Sequence, residues 1–93
     1  MGGELRLSAR VAPHTPIQPL WLCRPCAQPW PCPTARLTLR AEYADDRIGL
    51  SVYLCGLLHA AMRDLHRLNP HDMPGPQAMY DRFVGWNRPR YLP

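Results

Sequence analysis

Four residues near the start of this chain have the types and spacing to hold a metal ion: His14, Cys23, Cys26 and Cys32. A C-x2-C turn presents two thiolates to one ion, and Cys32 adds a third after five further residues. Thiolate and imidazole are the donors that Zn²⁺ prefers in a closed, tetrahedral, structural site. Three thiolates leave one position. His14 is the first choice for it, because the intervening chain is irregular and can loop back. Cys55 and His59, at i and i+4 on one helix face, come next, and His71 in a loop is the outsider. The readings that compete with zinc are an iron–sulfur cluster, a disulfide and free thiols. A catalytic zinc would need an open position and an acid or base beside it. No H-x-E signature accompanies these cysteines, so the pattern points to a metal that holds structure and away from an enzyme.

The segment that carries the donors cannot fold as regular helix or central strand. Of the twelve prolines in the chain, seven are Pro13, Pro16, Pro19, Pro25, Pro29, Pro31 and Pro33. Each removes a backbone donor and fixes φ. Such a segment stays ordered only if something clamps it, and a bound metal does so with binding energy that counts as folding energy. Trp21 and Trp30 flank the cysteines and are expected to roof the site against water. Before this coil, residues 4–11 alternate apolar and polar in the period of a short, half-buried strand.

Helices should follow. Pro33 or Thr34 opens one that runs to Ala44, with Thr34 as its N-cap. Asp45 and Asp46 then cap the next. Arg47–Leu68 is expected to be the central core helix. Ile48, Val52, Cys55, His59, Met62 and His66 trace one face, and Leu50, Leu54, Leu57, Leu58, Ala61 and Leu65 widen it. On that reading Cys55 is a small core hydrophobe, and His59 and His66 are core or rim histidines. Gly49 and Gly56 would let a neighbour pack closely. Asn69-Pro70 ends the helix. Residues 77–84 read as a last short helix, with Gly85 at its C-cap and Trp86 docking back on the core. The tail, 87–93, is basic.

The fold class expected is therefore mainly α: one small zinc-stapled domain over residues 1–93, its irregular proline-rich segment packed on two or three helices. A chain of 93 residues has no room for cofactor folds built from several βαβ units. The net charge of +4 is spread along the chain, and all eleven basic residues are arginine. That permits nucleic acid as a partner without arguing for it. A protein partner or a second copy of the chain is the expectation ahead of it. The N-terminus has no apolar core of a signal peptide. The longest uncharged run, Ile48 to Met62, is shorter than the roughly 20 residues of a bilayer span. A cytoplasmic protein without a membrane segment is expected.

The order of residues also resembles a known group. His14-Thr15-Pro16, then Trp21-x-Cys23-x2-Cys26-x3-Trp30-Pro31-Cys32-x2-Ala35-Arg36, then Tyr53-Leu54, then Asp81-Arg82-Phe83-Val84-Gly85-Trp86 are similar to short actinobacterial proteins of unassigned function. The likeness runs over about residues 14–86. It implies a small cytoplasmic protein associated with transcriptional or biosynthetic gene clusters. Such proteins sometimes carry a flavin-reductase label, which the present chain, lacking a Gly-rich phosphate loop, does not support. The C-x2-C-x5-C spacing is also similar to that of the WhiB-like iron–sulfur regulators. Those have a fourth cysteine upstream where this chain has His14, and a Gly-Trp-Gly-Gly turn where it has only Gly85-Trp86.

Overall fold

Cys32 begins the helical part of the chain. Its extended backbone, with Pro33 at the first helical position, starts helix α1, Pro33–Glu42, and its sulfur accepts from the Ala35 amide. The N-cap is thus Cys32 rather than Thr34: a proline at the first turn needs no amide partner, so the cap falls one residue before it. A computed structural model of the chain describes residues 13–88. The strand expected over residues 4–11 and the tail beyond Arg88 lie outside them. Among the described residues there are three α-helices and one two-stranded sheet.

Strand β1, Pro16–Ile17, pairs antiparallel with β2, Leu22–Cys23, in the register Pro16↔Cys23 and Ile17↔Leu22. Among the described residues this hairpin is the one two-stranded ladder, with a single bridge from Leu22 to Pro29 beside it. Helix α2, Arg47–Leu68, is capped by Asp46, whose carboxylate accepts from the Gly49 amide at 2.9 Å. Asn69 follows its last turn, as a helix stopping before Pro70 requires. Helix α3, Pro76–Tyr80, widens into a π-type turn over Asp81–Gly85. The expected single helix over 77–84 therefore starts one residue earlier and changes pitch. An extra residue in the turn lets both Phe83 and Val84 face inward with Met79.

The core sits where α2, the π turn and the proline-rich coil meet. Trp21, Trp30 and Phe83 form an aromatic triad with ring centroids 5.6–6.3 Å apart. Leu50, Leu54 and Ala61 of α2 complete it. This corrects the expected orientation of α2. The face that widens the pattern points inward, and the face traced by Ile48, Val52, Cys55, His59 and His66 is exposed. Cys55 is not a core hydrophobe, and His59 and His66 are not core histidines. The inward stripe is leucine and alanine throughout, whereas the outward one includes two histidines, and it is the purely apolar stripe that meets Trp21 and Phe83. By length and composition α2 would also reach across a membrane.

Phe83 is fully buried between two indoles. Phe83→Ala should cost about 3–5 kcal/mol in denaturant unfolding. Leu37→Ala, at a side chain 70% exposed, should stay within about 0.5 kcal/mol.

Candidate metal centre

The hairpin and the start of α1 bring the candidate donors together. The Cys23 amide donates to the Gln28 carbonyl at 2.6 Å, and the Ala27 amide to the Cys23 carbonyl at 2.7 Å. These bonds curl Cys23–Gln28 into a knuckle, with Ala27 in the left-handed region at φ 61°. Glycine would sit there without cost, so an alanine hides this turn from sequence reading. Cys32 arrives from the opposite side, at the N-terminus of α1. His14 closes the group from the chain entering β1, and its own carbonyl accepts from Trp30 Nε1 at 2.9 Å.

Each of His14, Cys23, Cys26 and Cys32 offers one donor atom, and all four atoms lie within 4.8 Å of one another. His14 Nδ1 is 3.0 Å from Cys23 Sγ and 3.2 Å from Cys32 Sγ, and the two sulfurs are 3.6 Å apart. A tetrahedral zinc with bonds of about 2.3 Å sets its thiolates about 3.8 Å apart. The spacing suits one shared ion. All four cysteines of the chain are free, so the disulfide reading fails. Cys23 and Cys32 are buried, His14 is half-buried and Cys26 is exposed. Of the other residues considered for the fourth position, Cys55, His59 and His71 are exposed and lie outside the group.

Burial pushes the Cys23 thiol up to about 11, with the nearby Cys26 and Cys32 side chains adding to it against the Cys26 amide. Burial works upward on Cys32 too. There the Ala35 amide and the Cys23, Cys26 and His14 side chains outweigh it and bring the thiol down to about 7. Packed thiols in a dry site do not all ionise by themselves, because each thiolate raises the cost of the next. A cation among them removes that conflict.

Two residues that sequence reading did not single out hold this segment to the helices. Arg82 donates through Nε to the Trp30 carbonyl at 2.9 Å and through an η nitrogen to the Trp21 carbonyl at 2.7 Å. Asp64 of α2 accepts from Trp21 Nε1 at 2.9 Å. The partners are 43 to 61 positions apart. No local pattern could reveal them, although Arg82 stands in the motif that carried the family resemblance. Trp21 and Trp30 are expected to roof the donors; they are buried as part of the core, and Trp30 reaches the site through the His14 carbonyl. No protein-family model, no curated protein and no solved structure matches this chain.

The Arg82 fork makes a specific forecast. Arg82→Met should leave the Trp30 carbonyl without its donor and the Trp21 carbonyl with the Trp30 amide alone, and cost about 2 kcal/mol in denaturant unfolding. Arg82→Lys should recover less than half of that, because an ammonium does not present two donors in a fixed plane.

Proposed function

We propose that this protein is a small zinc-bearing accessory or protein-interaction module. In this reading a structural Zn²⁺ is held by His14, Cys23, Cys26 and Cys32. One observation carries it: an imidazole and three thiols, contributed by three separate turns of a proline-rich coil, have their donor atoms within 4.8 Å. Four protein donors fill a tetrahedron, which suits a metal that fixes structure. An iron–sulfur cluster spreads four thiolates over several irons, and a group this tight with one imidazole fits a single ion better. The metal turns the exposed surface of the coil, from Arg24 to Pro29, into a rigid patch.

Nucleic-acid binding is the weaker reading. Arg36, Arg40 and Arg82 donate to the carbonyls of Pro31, Trp86, Trp30 and Trp21. Arginines committed to internal carbonyls are not free to meet phosphates. Binding to DNA that falls steeply with salt would reverse this order of preference.

Protein purified without a histidine tag should carry about one zinc per chain or more. His14→Ala should weaken that zinc by more than the roughly 100-fold that losing a partner of a ligand costs. Removing the metal with a chelator should erase the near-ultraviolet circular dichroism of Trp21 and Trp30. Metal-free protein with its tryptophan signal intact would refute the reading.

A further inference from the structure

The solvent-facing side of α2 has a pattern that a solvated helix face does not need. Ile48, Val52, Cys55, Met62 and the two histidines His59 and His66 follow one another at alternating steps of four and three. That is the seam of a coiled coil, with Val52, His59 and His66 at one heptad position and Ile48, Cys55 and Met62 at the other. The stripe lies opposite Leu50, Leu54 and Ala61, which face the core. Ile48 is 79% exposed and Val52 68%. Cys55, His59 and His66 are exposed, and Met62 is half-buried. Single apolar residues on a surface are ordinary, but an apolar stripe along one helix marks an interaction site.

We infer that this stripe is a two-fold interface between two antiparallel copies of the chain, and that Cys55 and His59 of each copy together close a second zinc site at its centre. Antiparallel pairing matches Val52 with Met62, Ile48 with His66, and Cys55 with His59 of the second copy. The charges favour that direction. Glu42, at the end of α1, and Asp45 and Asp46 are exposed beside the first turn of α2, where Arg47 offsets one of them, and Arg63 and Arg67 are exposed towards the other end. Reversing one copy brings unlike ends together, whereas a parallel pair stacks like on like. Anionic lipid would attract the arginine end and repel the acidic end, so a second copy fits the helix better than a bilayer surface does.

The edge of the stripe is shaped for close approach. A Cβ placed on Gly56 would meet nothing within 4 Å, so the glycine leaves open space beside Cys55. At Gly49 the corresponding space is filled by the Asp46 carboxylate. Arg63 of the second copy arrives at that edge, one side of the seam, with a cation for it. The centre of the seam supplies the chemistry. Residues four apart on a helix stand side by side, so Cys55 and His59 form half of a metal site. Two donors leave a zinc ion half-coordinated, and a two-fold axis doubles them to two thiolates and two imidazoles. This site is separate from the His14 group and does not rest on it.

The test uses the full, untagged chain, with and without reductant, in sedimentation equilibrium with metal analysis alongside. Wild type should be a dimer holding about 1.5 zinc per chain, one from the His14 group and half from the interface. The double variant Cys55→Ser/His59→Ala should lose about half a zinc per chain and dissociate at least about tenfold more readily. Val52→Glu, which touches no ligand, should give a monomer with about one zinc per chain. A wild type holding only about half a zinc, lost with the double variant, would sustain the interface and sink the His14 reading. Three results overturn the proposal. The first is a wild-type monomer whose zinc content the double variant leaves unchanged. The second is a dimer that survives a chelator and falls apart with reductant, which is a Cys55 disulfide. The third is a monomer that binds phosphatidylserine vesicles and loses that binding with Val52→Glu.

Discussion

A coil interrupted by seven prolines between Pro13 and Pro33 cannot hold itself together through its own backbone. Proline donates no amide hydrogen, so a ladder through this segment is broken every few residues. What remains among the described residues is a two-pair hairpin, the knuckle around Cys23 and the bridge that pairs Leu22 with Pro29 and seats the Trp30 amide on the Trp21 carbonyl. The carbonyls of the segment still need donors, and side chains supply them. Arg82 satisfies Trp30 and adds a second donor to Trp21, Trp30 satisfies His14, and Arg36 satisfies Pro31. The structure depends on this substitution of side-chain donors for backbone ones.

Position and chemistry are tied together by it. The groups that anchor the coil are the ones that bring the four candidate metal donors together. Trp30 fixes the backbone of His14, and Cys32 is at once a candidate donor and the N-cap of α1. Asp64 and Arg82 fasten the coil to α2 and to the π turn, on either side of the aromatic triad. A metal in the group and the aromatic core would act on the same short stretch of chain. Loss of either loosens the other, because the segment has little hydrogen bonding of its own to fall back on.

Helix α2 shows a second consequence of small size. A domain of this length buries only a modest core, and one helix of 22 residues has more apolar surface than that core can cover. Leu50, Leu54 and Ala61 meet the coil and the π turn, while Ile48 and Val52 face outwards. The tyrosines add to the asymmetry: Tyr43 stacks on Tyr53 at 6.1 Å on one flank and joins the end of α1 to α2. The leftover stripe carries a thiol and an imidazole at its centre, which gives it chemistry as well as surface.

Much of this protein is written locally. The C-x2-C-x5-C spacing with a histidine upstream named the donor set as a group, and proline density ruled out regular structure there. Asp46 before an apolar run, and Asn69-Pro70 after it, set the ends of α2 by capping and by steric exclusion. Tertiary structure decided the rest, because it depends on contacts between distant positions. Two stripes of α2 competed for the core, and the one that meets Trp21 and Phe83 is the stripe of leucines and alanine, not the one that carries two histidines. The wider turn at Asp81–Gly85 exists because both Phe83 and Val84 must face inward. The Arg82 fork spans more than fifty positions, beyond the reach of any periodicity. That is why the grouping of His14, Cys23, Cys26 and Cys32 could be read from the chain and the residues that hold them in place could not.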